Sequence, residues 1–136
     1  MKCFTREIRL SSSANKELID MTGRVTEAVS ESGIADGICV VHTRHTTSAI
    51  LINEDEDGLK RDIIKKVSEE FPDDWPWLHN RIDSNAAAHV AASFIGNSVT
   101  IPVVSGRPCL GTWQSVFFLE LDGPRSSRIV TVQVLG

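Results

Sequence analysis

The chain has 136 residues, 41% of them hydrophobic and 24% charged, with a formal net charge of −4, which suits one soluble globular domain expected to span residues 1–136. Its 14 basic residues are scattered rather than clustered, so no basic face offers itself to a phosphate backbone and nucleic acid is excluded as the main partner. No apolar run approaches the ~20 residues of a membrane helix and the N-terminus turns polar early, so a cytoplasmic protein without a membrane partner is expected.

Residues 2 to 10 alternate, with Phe4, Ile8 and Leu10 on one face, and predict a strand. A helix is predicted over Thr22 to Ser32, with Asp20 as N-cap, an apolar stripe of Val25, Ala28 and Val29, and Gly33 as its stop. Asp36-Gly37 forms a turn into the strand Ile38 to Thr43. A second strand, Ala49 to Ile52, ends at the acidic run Asn53-Glu54-Asp55-Glu56-Asp57. The next helix carries Leu59, Ile63 and Val67 at spacing four, with carboxylates in its first turn, where the helix dipole favours them. Pro72 to Pro76 reads as irregular, and Ser84 or Asn85 caps a short helix that runs through Phe94 to Gly96-Asn97.

The last forty residues read as strands: Ser98 to Val104, Trp113 to Leu121 and Ile129 to Leu135, with turns at Ser105-Gly106 and Asp122-Gly123-Pro124. The order is two strands, a helix, two strands, two helices and about four strands. That grouping predicts an α+β fold, with about three helices packed on a mixed or largely antiparallel sheet or sandwich. Cys3, Cys39 and Cys109 form no C-x-x-C pair and are expected to be reduced thiols, mostly buried.

Three of the four histidines sit among short polar side chains: His45 before Thr46-Thr47-Ser48, His79 before Asn80, and His89 after Asn85 and three alanines. Imidazole titrates near neutral pH and is the commonest metal ligand, so this triple invites a site. Helical spacing places Asn85, His89 and Ser93 on one face. Strand alternation turns His42 away from His45. The hydroxyls of Thr46, Thr47 and Ser48 are candidate donors to a phosphate or turn-formers, and Glu54 and Asp57, three apart, are candidates for a general base or an Mg²⁺ ligand. Arg125 and Arg128, beside a Gly-Pro turn, are candidates for a bidentate phosphate clamp.

The set His45-Thr46-Thr47-Ser48, Asn53-Glu54, His79, Asn85 with His89, Ser98 to Pro102, Gly106 and Gly111-Thr112-Trp113-Gln114 resembles the YjbQ family over nearly the whole chain. These small proteins also carry the label of secondary thiamine-phosphate synthases. The resemblance implies an α+β fold like a β-sandwich in outline and a homotrimer with sites near subunit boundaries. It also implies one pocket lined by His45, His79 and His89, with Glu54, Asp57 and Asp83 as carboxylate partners. On this footing His45, His79, His89 and Glu54 are the catalytic candidates. Thr46, Thr47, Ser48, Asn85, Thr112, Gln114, Arg125 and Arg128 are the candidates for binding a small phosphorylated or anionic substrate. A three-histidine set suits Zn²⁺ better than the Mg²⁺ that diphosphate chemistry ordinarily uses. The expected function is a metabolite enzyme, and the alternative is a metal- or anion-binding module without turnover.

Overall fold

Two antiparallel sheets divide the strands in the computed structural model, which describes residues 1–136. In chain order the elements are β1 Cys3–Leu10, β2 Glu17–Asp20, α1 Thr22–Ser32, β3 Gly37–Thr43, β4 Ser48–Asn53 and α2 Asp57–Glu70. A 3-10 turn at Leu78–Arg81 leads into α3 Ala86–Ile95, and β5 Ser98–Val104, β6 Arg107–Pro108, β7 Ser115–Glu120 and β8 Arg128–Leu135 complete the chain. The larger sheet has the order β1-β8-β3-β5-β6 and the smaller β2-β7-β4. The fold is α+β and follows the element order expected from the sequence, except that the second strand, β2, lies at Glu17–Asp20, a segment where no strand is predicted from the sequence.

The smaller sheet is covered on both faces, which explains why β7 is a nearly unbroken apolar run, Val116-Phe117-Phe118-Leu119, instead of an alternating one. Val116 and Phe118 join the inward residues of the larger sheet and Met21, Val25, Ala28 and Val29 of the α1 region in one core. Phe117, Leu119 and Leu121 point the other way, into a second core with Ala88, Ala91 and Ala92 of α3, against which Ile63, Ile64 and Val67 of α2 pack. The alanine run of α3 is what lets that helix approach the sheet closely.

Local signals hold with small shifts. Gly33 ends α1 with φ 70, in the left-handed region that favours glycine. Asp20 accepts from the backbone N–H of Thr22 at 2.9 Å, one residue ahead of the helix's own cap position, Met21. Only one of the three cysteines is buried: Cys39 lies in the core, where burial pushes its thiol up to about 11, whereas Cys3 and Cys109 are exposed on strand edges and loops. Phe118 is fully buried between the sheets. Replacing it with alanine is expected to cost about 3–5 kcal/mol of unfolding free energy in urea melts.

Candidate functional site

The interior between the sheets holds a salt bridge where an apolar pair would be expected. Along β8, Arg128 shares the inward parity of Val130, Val132 and Val134, and along β7, Glu120 shares that of Val116 and Phe118. The two charged side chains therefore meet between the sheets, at 2% and 0% exposure. Arg128 Nε donates to Glu120 Oε1 at 2.9 Å and its Nη2 to Oε2. Glu120 also accepts from the Ser12 hydroxyl at 2.7 Å and from the backbone N–H groups of Leu121 and Asp122 at 3.1 Å each. Burial alone would raise the Glu120 pKa, but the hydrogen bonds from Arg128, Ser12 and the Asp122 backbone outweigh it, and the carboxyl sits below its usual range.

The same guanidinium anchors the predicted polar loop. Nη2 of Arg128 donates to the Thr47 hydroxyl at 3.0 Å and to the Thr47 carbonyl at 3.3 Å. Ser48 and Thr43 share a buried hydrogen bond of 2.9 Å across the same turn. Thr47, Ser48 and Arg128 are thus committed to holding the loop. Arg128 is not half of a phosphate clamp, because its charge is spent on Glu120. Nor does Arg125 complete one: it bonds the Asp122 carboxylate and carbonyl, both at 2.9 Å.

With its base fixed, the loop presents His45 and Thr46 to α3. A cleft of about 240 Å³ opens between them, lined by His45, Thr46, Ser48, His89, Ala92, Ser93 and Asn97. His89 and Ser93 lie on the helix face read from the sequence, and the Ser93 hydroxyl donates back to the His89 carbonyl at 2.9 Å. Behind the cleft, His79 meets His89 edge-on, with ring centroids 4.8 Å apart. Nε2 of His79 is buried without a hydrogen-bond partner, as is Oδ1 of Asn85, whose Nδ2 donates to Asp122 at 2.9 Å. Asn80 Oδ1 accepts from the N–H of Ala86, so it tethers the His79 turn to the start of α3.

Other expected site residues lie elsewhere. Asn53 is paired with Ser115 and Ser48 with Glu120, so Glu54 and the segment Gly111-Thr112-Trp113-Gln114 sit at the opposite end of the β4–β7 pair from His45. Five strand steps separate those ends, about 17 Å at the strand rise. Gln114 Oε1 accepts from the Gly111 N–H at 2.8 Å and shapes that turn. Glu54 lies before α2, whose cap is Glu56, so it shares no helix face with Asp57, which pairs with Arg61 at 3.2 Å on the surface. Asp83 caps its own loop, accepting from the Ser84 N–H.

The three histidines do not form a metal centre within the chain. No three His, Cys, Asp or Glu side chains converge closely enough to hold an ion. Nε2 of His45 already accepts from the backbone N–H of Ile129 at 3.0 Å. Burial and the neighbouring Arg128 guanidinium lower the His45 pKa below its usual value. A larger groove of about 430 Å³, walled by Phe71, Trp75, Trp77 and Phe94, flanks the other side of α3 and contains none of the histidines.

The profile of the family described as UPF0047 protein YjbQ-like matches residues 6–136. The chain belongs to this family. Its relatives include a UPF0047 protein of Methanothermobacter thermautotrophicus, 48% identical over all of this chain and 94% of that protein. Another is the UPF0047 protein YugU of Bacillus subtilis, 34% identical over 96% of this chain and 98% of that protein. Among solved structures, a YbjQ-like protein of unknown function from Sulfolobus solfataricus superposes with a TM-score of 0.98 at 44% identity, covering 99% of this chain and 98% of that one. A conserved hypothetical protein of Thermus thermophilus reaches 0.81 at 28% identity, covering 94% and 99%. The YjbQ-like chain has no helix long and apolar enough to cross a membrane.

Acid should destabilise this YjbQ-like protein in two stages. A depressed folded pKa means that the unfolded state binds the proton first, so stability falls as pH drops below about 6.5 for His45 and below about 4.5 for Glu120. In Glu120→Gln the second stage should shrink, and the variant should lose about 3–5 kcal/mol because Arg128 keeps a buried, uncompensated charge. Urea melts across the pH range measure both.

Proposed function

We propose that this YjbQ-like protein is a small-molecule enzyme that binds a phosphorylated or similarly anionic metabolite in the cleft between the His45 loop and α3. The observation that carries the reading is the placing of His45 and His89 on one polar cleft whose only hydrophobic lining residue is Ala92. Thr46 and Asn97 supply donors for an oxyanion, while the Ser93 hydroxyl proton is taken by the His89 carbonyl. His89, with its edge against His79, is the group placed to exchange a proton with the ligand.

Thiamine-phosphate synthesis is at most a secondary activity in this proposal. Departure of pyrophosphate calls for concentrated positive charge, and of the three arginines near His45 two, Arg125 and Arg128, are engaged by carboxylates, which leaves Arg44 alone. A divalent ion, zinc before magnesium by donor type, enters only as one shared between copies, since one chain does not gather three donors. A homotrimer is part of the proposal for a related reason. Trp113 is 72% exposed beside Thr112 and Gln114, at the end of the β4–β7 pair remote from the cleft, where only a second copy can bring that segment to a histidine pair.

A binding module without turnover is the second reading, and the absence of any carboxylate from the cleft lining favours it. Turnover of a panel of phosphorylated metabolites should disappear in His89→Ala while the unfolding midpoint moves little; unchanged turnover would sink the enzyme reading, and binding with no product in the unaltered protein would establish the module. For assembly, light scattering should give three times the 14.9 kDa chain mass. Mixing inactive His89→Ala and Gln114→Ala proteins after partial unfolding should restore activity if two copies complete each site, and a monomeric mass would remove that part.

A further inference from the structure

The β3–β8 ladder stops one rung before the cleft, and a side chain continues it. Thr43 opposite Val130 is the last backbone pair, and at the next position the N–H of Ile129 donates to Nε2 of His45 at 3.0 Å. An imidazole nitrogen that accepts a hydrogen bond carries no proton, so a neutral ring held this way bears its proton on Nδ1. That nitrogen has no partner within the chain and is not enclosed, and the ring forms part of the cleft wall. The backbone N–H of His45 is itself fixed, donating to the Thr43 hydroxyl at 3.2 Å, so the ring hangs from an ordered turn.

From this geometry we propose that His45 is a tautomer-locked hydrogen-bond donor, with Nδ1–H directed at an oxygen of the bound anion, and not a base or a metal ligand through Nε2. The ligand half rests on the anion-binding reading of the cleft; the tautomer half does not. Burial and Arg128 disfavour the doubly protonated ring, which keeps the donor neutral near pH 7. A neutral imidazole donor polarises an oxygen without drawing the ligand into a tight ion pair. It also sets a selectivity: the facing ligand atom must be an acceptor, such as a phosphate or carboxylate oxygen, because an N–H or O–H pointing at Nδ1–H would oppose donor to donor.

The experiment is nitrogen-15 imidazole spectroscopy of the intact protein, alone and titrated with inorganic phosphate. His45 should show a pyridine-type Nε2 and a pyrrole-type Nδ1 near pH 7, and phosphate should move Nδ1 while leaving Nε2 in place. Two variants separate the roles. In His45→Gln the side-chain oxygen can take the place of Nε2 and accept from Ile129, so the unfolding midpoint should hold while phosphate binding weakens about tenfold or more. His45→Ala should lose both. A protonated Nε2, or phosphate bound with no response at Nδ1, would overturn the proposal. Phosphate that fails to bind at all would overturn the anion-site reading and the donor role with it, while the tautomer would stand or fall on its own spectrum.

Discussion

The buried pair of Arg128 and Glu120 is the constraint on which this molecule is arranged. Neither charge could remain between two sheets unpaired, since an isolated ion there costs several kcal/mol. Each is paired: Glu120 by Arg128, Ser12 and two backbone N–H groups, and Arg128 through Nε and Nη2 by Glu120 and Thr47. Because β8 belongs to one sheet and β7 to the other, the pair joins the sheets at one end of the sandwich. An apolar pair of similar size would pack there as well, but it would have no directional hold on the Thr47 backbone.

That hold is the link from fold to site. Thr47 pinned from below leaves His45 and Thr46 as the projecting part of a four-residue turn, and the ring of His45 then closes the open rung at Ile129. On the facing side, the small side chains of Ala88, Ala91 and Ala92 seat α3 on β4 and β7 and turn His89 and Ser93 toward the loop. The cleft is the gap between two surfaces that are each fixed for packing reasons. Asp122 works in the same way at its margin, gathering Asn85 and Arg125.

The placement of α1, β3, β4, α2 and α3 was legible because each has a period and a punctuating residue: Gly33 after α1, the Asp36-Gly37 turn before β3, Gly96 after α3. The small strand β2 left no such trace in Glu17-Leu18-Ile19-Asp20, which owes its strand state to pairing with β7. The Arg128–Glu120 pair had a signal that composition hid. Extending the alternation of Val130, Val132 and Val134 back by two residues makes Arg128 inward-facing, and the same step along β7 does so for Glu120. Read one at a time, an arginine next to two serines looks like a surface residue.

The sequence by itself determined the α+β class and the family and singled out His45, Thr46, Ser48 and His89, because these depend on local period, turn chemistry and motif. It marked Asn97, which also lines the cleft, only as a helix stop. Tertiary structure alone decided which of those residues work together. Glu54, Thr112 and Gln114 belong to the far end of the β4–β7 pair, Arg128 to the interior, and His45 Nε2 to a backbone rung. The physical reason is that strand register and sheet stacking are non-local: a pairing such as Ser48 with Glu120 joins residues far apart in sequence, and no nearby pattern encodes it.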